Sequence, residues 1–575
     1  MPPAAVRDRT ASLPGGAISP LVPVLVPLAV AAIAFGVWFS RLFPFATPPS
    51  APPPVKFTDV TRESGLDFVH DNGAREGLDT PTTLPGAVAF LDYDNDGHPD
   101  LFVVSGTAWP WAAAVSGARS TCALYHNDGK GHFTDVTKEA GLDASMLGMG
   151  VAVGDYDGDG FPDIFVTGVG GNRLFHNLGN GTFREVTAEA GVGGDEHVWS
   201  SGAVWIDIFG EGRLDLVVCN YARWASQSTL GSAFSAEIAG PSYTAPAGFV
   251  SAFPSVYRNL GGGRFEEVSA RTGLNVIDRQ TGFPQAFPLA VAAVDINGDG
   301  KLDLLFKYQN SGDLLFLNQG DGTFRRWVPP VEERRDGVSA GLLGEGALPF
   351  ARQGQSPGRF GILRAAGLAM APVQEEGASY CHLQEKLGVA LFDYDLDGRI
   401  DVFSANGLAE PSLVHFERGR SFSSVPALIW NNGRSWVRAP VAAARGNGMV
   451  ARGVAVADVY GSGNLDVAIA QNGGPLRLLR NDLRNHNSWL RVDLVGTHCQ
   501  RDAGGARVEV HTPRGILVQT MEPAMGFMAQ SERTLTFGLG IDDRVRKVVV
   551  RWPSGVRQEV RPEGVNRRIV ITEPR

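Results

Sequence analysis

One nine-residue pattern, D-x-D-x-D-G-x-x-D, recurs six times along this 575-residue chain. The copies are DYDNDGHPD from Asp92, DYDGDGFPD from Asp155, DIFGEGRLD from Asp207, DINGDGKLD from Asp295, DYDLDGRID from Asp393 and DVYGSGNLD from Asp458; we call them loops 1 to 6. Self-similarity on this scale marks a repeat architecture, in which each unit buries its faces only against its neighbours. Short apolar runs flank every copy, for example GAVAFL before and LFVV after loop 1. Most copies are followed by a third shared element: ALYHNDGKGHFTDVT, RLFHNLGNGTFREVT, SVYRNLGGGRFEEVS, LLFLNQGDGTFRRW and ALIWNNGRSWVRA. An apolar run, a tight Asn/Gly turn and a second run read as a β-hairpin. Four strands per repeat make one propeller blade, and runs with little alternation predict strands covered on both faces.

The expected fold is therefore all-β: a six- or seven-bladed β-propeller over residues 56–484, with a small antiparallel β domain over 487–575. The last copy, PLRLLRNDLRNHN, lacks its final strand, while Phe57 to Thr61, FTDVT, is an orphan copy of that strand at the other end. Pairing of this strand into the blade of Asp458 would remove the open edge of a linear array. The two longest intervals carry insertions at roughly 222–255 and 329–386, and a degenerate seventh blade has room in the second.

The loops carry hard-cation chemistry. Positions one, three, five and nine offer side-chain oxygens, position seven its backbone carbonyl, and the glycine at six permits the bend; four or five oxygens plus water suit Ca²⁺. Loops 1, 2, 4 and 5 keep every donor: Asp92, Asp94, Asp96, Asp100 with His98; Asp155, Asp157, Asp159, Asp163 with Phe161; Asp295, Asn297, Asp299, Asp303 with Lys301; and Asp393, Asp395, Asp397, Asp401 with Arg399. The position-seven residues His98, Phe161, Lys301 and Arg399 would act through the carbonyl. Loop 3 has Phe209, and loop 6 Tyr460 and Ser462, where oxygens are needed, so these two are expected to hold their shape without metal. About four Ca²⁺ are expected. The net charge is −10, and the carboxylates of the four complete loops exceed it, so the remainder of the chain is net positive. An acidic chain with no basic stripe excludes a nucleic-acid surface.

Residues 18–39, ISPLVPVLVPLAVAAIAFGVWF, carry no charge and follow Arg7 and Arg9. At about 1.5 Å per residue a helix of this length crosses a hydrocarbon core, and the flanking arginines favour a cytoplasmic N-terminus. The expected order is a cytoplasmic tail at 1–17, a transmembrane signal anchor at 18–40 and a Pro-rich spacer at 41–55, with the bulk of the chain extracytoplasmic; secretion after signal cleavage is the alternative. The four cysteines, Cys122, Cys219, Cys381 and Cys499, have no metal or redox spacing and read as free thiols.

No catalytic motif emerges. Gly337-Val338-Ser339-Ala340-Gly341 matches G-x-S-x-G but lacks the strand and helix of a nucleophile elbow. His70, His126, His176 and His382 are scattered without metal-ligand spacing and read as satisfied turn or strand histidines.

The loops, their flanking strands and the GxGxF turns resemble the FG-GAP or VCBS repeats of integrin α-subunit propellers and their bacterial relatives. From Trp489, WLRVDLVGTHCQRDAGGARVEV, GFMAQSERTLTFGLG and VVVRWPSGVRQEV resemble an ASPIC/UnbV domain. Such a domain follows such a propeller in cartilage acidic protein-like proteins, whose propeller start is similar to FTDVTRESGLDFVHDNG. The resemblance covers about residues 56–575 and implies a calcium-binding module that contacts a protein or glycan outside the cytoplasm. An enzyme or biosynthetic accessory protein with a site on the propeller face is the alternative.

Overall fold

The computed structural model describes residues 55–73, 84–107, 120–223, 250–277, 284, 287–308, 314–327, 388–405, 407, 425–433, 436–441, 448–522 and 528–575. The anchor at 18–40, both proposed insertions for the greater part, the G-x-S-x-G segment, Cys381 and His382 lie outside them.

Each repeat copy folds into one antiparallel sheet, strand next to strand. Sheet 1 comprises Val88–Leu91, Asp100–Val103, Ala123–Asn127 and Phe133–Asp135, and sheet 2 comprises Gly148–Gly154, Asp163–Gly168, Arg173–Asn177 and Phe183–Glu185. Sheets 3, 4 and 5 repeat the plan from Val198–Ile206, Pro288–Val294 and Gly388–Phe392. In sheet 3 an extra strand, Val250–Ser251, pairs with the second strand. Sheet 6 takes Ala451–Ala457, Asp466–Gln471 and Arg477–Asn481, and its fourth strand is Phe57–Asp59, paired with Phe57 opposite Asn481. The orphan strand thus fills the edge the last repeat leaves open. The first strands of sheets 1, 2, 3, 4 and 6 are buried along their whole length, which is why their sequences do not alternate.

Neighbouring sheets are tied by one recurring side chain, the Asn that ends each third strand. Asn177 Nδ2 donates to the Tyr93 carbonyl of loop 1, Asn259 to Tyr156 of loop 2 and Asn481 to Tyr394 of loop 5, at 2.8 to 2.9 Å. Asn127 of sheet 1 reaches back to Val459 of loop 6 at 3.2 Å. Sheet 6, made from both ends of the repeat array, therefore stands beside sheet 1. The first strands of sheets 3 and 4 also pack together, so the sheets run side by side in the order 5, 6, 1, 2, 3, 4.

The C-terminal region forms a three-stranded sheet, Leu535–Gly540, Ser488–Val495 and Arg567–Thr572, and a four-stranded one, Ile516–Thr520, Arg507–His511, Lys547–Arg551 and Arg557–Val560. They enclose a core that includes Leu490, Val508, Phe537, Val548 and Trp552. The domain is not wholly antiparallel as expected: Ser488–Val495 pairs in parallel with Arg567–Thr572, because both strands run from the same end of the domain. No helix among the described residues is long and apolar enough to cross a membrane.

Candidate metal sites in the six loops

The loops share a frame built by two carboxylates. The position-one Asp accepts the N–H of the position-six glycine in all six, at 2.7 to 2.9 Å. The position-nine Asp accepts twice: one oxygen takes the position-two N–H at 2.9 to 3.2 Å. The other takes the N–H of the third-strand Asn at 2.7 to 2.8 Å. The position-six glycines all have φ between 73° and 99°, a region open to glycine and costly for other residues. Position four is left-handed too, at Gly158, Gly210, Gly298 and Gly461, and at Asn95 (φ 60°) and Leu396 (φ 58°). The frame forms in loops 3 and 6 as well, so the pattern has a structural use apart from any metal.

Three loops each bring three of their four carboxylates together. The trios Asp92, Asp94, Asp96; Asp155, Asp157, Asp163; and Asp393, Asp395, Asp401 each place one oxygen per residue within 4.8 Å of the others. Asp96, Asp159, Asp299 and Asp397 accept the N–H of His98, Phe161, Lys301 and Arg399 at 2.8 to 2.9 Å. Loop 4 is looser: Asp295, Asp299 and Asp303 make no comparable trio, and Asn297 Nδ2 donates to Asp299 Oδ2 at 3.2 Å. Burial dominates the acidity of these groups, raising Asp100 to about 9, Asp92 to about 6, and Asp163, Asp303 and Asp397 to about 7. Asp393 and Asp401 are pushed well above the usual carboxylate range, again by burial first and then by neighbouring carboxylates. Desolvated, mutually repelling carboxylates favour any cation that can sit among them.

An arginine from the third strand stands over the position-three aromatic of loops 3 and 6. Arg258, on the third strand of sheet 3, lies over the Phe209 ring at 4.7 Å and pairs with Glu211. Arg480, on the third strand of sheet 6, lies over the Tyr460 ring at 5.6 Å. Each aromatic stands where loops 1, 2 and 5 have Asp, and a guanidinium on an aromatic face gains cation–π attraction. Both loops keep the hydrogen-bonded frame with an aromatic side chain at position three.

All six loops face the C-terminal domain, an arrangement the sequence did not reveal. Arg568 donates to the Gly97 carbonyl of loop 1. In loop 2, Asp502 accepts the Asp155 N–H at 3.1 Å and Arg501 stands 3.6 Å from Asp155. Gly212 of loop 3 lies against His498 and Cys499, and Gly505 lies against Gly300 and Leu302 of loop 4. Gly540 N–H donates to Leu396 of loop 5 at 2.9 Å, and a Cβ on Gly538 would collide with the Asp393 carboxylate. Arg491, 4% exposed, pairs with Asp458 of loop 6 at 3.1 Å and with Glu532.

The segment after Met528 then enters between the first strands. Ala529–Gln530 pairs in parallel with Val88 and Ala89. Gln530 accepts from the Val153 N–H and donates to its carbonyl, at 2.7 and 2.9 Å. Ser531 and Glu532 satisfy the Val456 N–H and C=O. Inner-strand edges of sheets 1, 2 and 6 are thereby capped by one short segment of the other domain.

His176 is a satisfied strand histidine, sharing a hydrogen bond with Asp163 at 3.0 Å, whereas His126 Nδ1 has no hydrogen-bond partner. His126 and His176, read as satisfied strand histidines, both stand against their loops: His126 Nδ1 lies 3.4 Å from Asp94 and 3.3 Å from Asp100, and His176 Nδ1 lies 3.5 Å from Asp157 and 3.0 Å from Asp163. The signal was present in the register. Aligning the third strands on their Asn puts His126, His176, Arg258, Leu317, Trp430 and Arg480 at one position. His70, by contrast, is buried, accepts the Gly473 N–H at 3.1 Å and is held neutral by burial, near 4. Cys122, Cys219 and Cys499 are free thiols.

Family models match parts of this chain: residues 92–166 and 155–218 match the FG-GAP-like repeat, and residues 496–575 match ASPIC and UnbV. Among curated proteins the chain is similar to Cartilage acidic protein 1 of Xenopus tropicalis, 24% identical over 519 residues, which are 83% of this chain and 71% of that one. It is also similar to the mouse and human proteins of that name, 28% identical in each case, over 56% and 48% of this chain. The matches span 41% and 42% of those two relatives' own lengths. Of solved structures, an Agrocybe aegerita lectin described as recognising non-reducing terminal N-acetylglucosamine overlaps at TM-score 0.30 and 16% identity, over 69% of this chain and 81% of that one. An overlap that low carries no conclusion about this chain's ligand.

Proposed function

We propose that this chain is an exported, membrane-tethered β-propeller, closed by its N-terminal strand and stabilised by Ca²⁺ in loops 1, 2, 4 and 5, that acts as an interaction module for a protein or glycan. The observation that carries the metal reading is loop 5. Asp393, Asp395 and Asp401 are 3%, 4% and 1% exposed, and Asp395 Oδ1 is buried with no hydrogen-bond partner. Three buried carboxylates with an orphaned oxygen make an all-oxygen donor set of the kind Ca²⁺ takes. Bound there, the cation would supply the charge that the trio lacks and lock the loop on which Gly538 and Gly540 rest.

The role in binding follows from what is left open. The C-terminal domain covers the loop ends of the sheets and its 528–532 segment fills the space between three inner strands, so a ligand is left the opposite ends and the outer strands. Placement outside the cytoplasm is supported by the charge-free run at 18–39, by the FG-GAP-like repeats and by the similarity to Cartilage acidic protein 1. Loops without a bidentate twelfth-position Glu suit the millimolar Ca²⁺ found there.

Calcium titration of the chain by calorimetry should show about four ions bound, and chelator should lower the melting temperature, because a ligand that binds only the folded state stabilises it. No uptake, or an unchanged melting temperature, would reject the metal reading. Protease applied to intact cells should degrade the region beyond residue 55; protection of it would reject the topology.

A further inference from the structure

The four-stranded sheet of the C-terminal domain has one dry face and one wet face. Alternation along its strands sends Val508 and Val548 into the core, and the register decides what stands on the other side. Arg507 lies opposite Arg551, and Arg551 opposite Arg557. Three arginines therefore form a row across three strands that stand about 4.8 Å apart. Lys547 and Arg561, the latter just past the last strand, add two more cations, against which the face sets two acids, Glu509 and Glu559. Glu509 lies 3.5 Å from Arg507 and 3.3 Å from Arg551, and Glu559 pairs with Lys547 at 2.8 Å. Arg557 and Arg561 are exposed and make no ion pair among the described residues. Glu559 is held below its ordinary value by its hydrogen bond with Lys547 and then by the charges of Arg561 and Arg557, so the surplus of positive charge is felt across the face.

Like charges directly opposite on a sheet weaken it, so folding gives no reason for the row. No basic run announces it along the chain, because three strands contribute to it. The make-up of the face decides which anionic partner it fits. The centre of a protein–protein interface is apolar and depleted of charge, whereas here the charges hold the centre. An element that lies on a lipid surface sinks a set of apolar side chains among the lipids, but Ile516 is the one large apolar side chain exposed on this face, and the face has no aromatic residue. A flexible polyanion needs neither feature. Its carboxylate or sulfate groups meet the planar guanidinium fork, which takes such oxygens two at a time. We propose that the outer face of this sheet is a docking surface for an acidic polysaccharide, held chiefly by Arg551, Arg557 and Arg561. The proposal deepens the role as an interaction module and rests on the placement of this domain outside the cytoplasm; it requires no calcium in the loops.

Heparin, which carries both sulfate and carboxylate groups, is the probe, immobilised and titrated with the full-length chain in detergent at stepped salt. Binding should weaken steadily as salt rises, because counterions compete for the polyanion, and neutral dextran should retain nothing. Arg551→Ser with Arg557→Ser and Arg561→Ser should lower the affinity by about tenfold, the combined weight of three exposed charge contacts. A control that loses the same charge from exposed positions on the propeller sheets and their connections, Arg62→Ser with Arg264→Ser and Arg325→Ser, should bind like the wild-type chain. Equal weakening in the control would show a response to net charge instead of to this face and would overturn the assignment, as would no retention of the wild-type chain on heparin. Tighter binding to phosphatidylglycerol vesicles or to duplex DNA than to heparin would overturn the choice of partner. None of these results touches the placement outside the cytoplasm, which the protease experiment on intact cells tests separately.

Discussion

Glu573 shows how a single side chain can set a loop. One carboxylate oxygen accepts the N–H groups of Thr497, His498 and Cys499 at 2.8, 2.7 and 3.1 Å, and the other accepts from Ser554. These hydrogen bonds outweigh its desolvation and hold the acid low, near 2; the neighbouring Cys499 thiol is pushed up by burial and then by this carboxylate. A carboxyl lower in the folded than in the unfolded chain adds stability that is complete above the ordinary value of 4.5 and is lost as pH falls toward 2. Glu573→Ala leaves three amides without their acceptor and should cost about 1–3 kcal/mol near neutral pH. Denaturant midpoints of the two proteins should differ at pH 6 and converge as pH falls below 4; a constant difference would refute the assignment. Nothing in the sequence marks this glutamate, third from the end. Its three amide partners lie some seventy-five residues away and meet it because Arg567–Thr572 runs parallel to Ser488–Val495.

At the scale of the element, the repeat made the sheets legible. Apolar runs, Asn/Gly turns and Asp/Gly loops are local signals, and they located sheets 1 to 6 and the pairing of Phe57–Asp59 with Arg477–Asn481. The three-residue strand is anchored beyond its ladder: Val60 N–H donates to Leu478 at 3.0 Å, and Arg477 pairs with Asp59 at 2.9 Å. A chain lacking residues 55–61 should expose the edge of Arg477–Asn481 and gain a tendency to associate. Light scattering and thermal melting would show this as higher mass and a lower transition. A monodisperse truncation with an unshifted melting temperature would show that the strand is dispensable. Less legible was position four of the loop, where Leu396 holds a left-handed φ of 58° that its residue type gives no reason to expect. Its carbonyl is fixed by Gly540 of the other domain, a contact from outside the repeat.

For the whole molecule, the decisive feature is the docking of the terminal domain on all six loops. Gln530 makes two hydrogen bonds to the Val153 peptide and is 2% exposed. Gln530→Ala should therefore leave both an N–H and a C=O unpaired on the inner strand of sheet 2, costing about 2–4 kcal/mol for two buried groups. Amide exchange at Val153 and Val88 should speed up while that of the outer strand Phe183–Glu185 changes little. Uniform exchange across the chain would place the effect elsewhere. The same docking makes the Asp/Gly loops and the domain interface one structure, since Asp155, Asp393 and Asp458 belong to both.

The all-β character, the repeated sheets and their strand order, the strand borrowed from the N-terminal end and the loops that gather carboxylates were legible in the residues, because each depends on residues within one repeat or on a match between two repeats. Tertiary structure alone decided what stands against each loop. His126, His176, Arg258 and Arg480 reach their loops from a strand two places away, and Arg491, Asp502 and Arg568 reach them from another domain. The repeat register marks the position of the first four, but the contacts from the other domain have no local periodicity to announce them; they exist only once the C-terminal domain has settled over the loop ends.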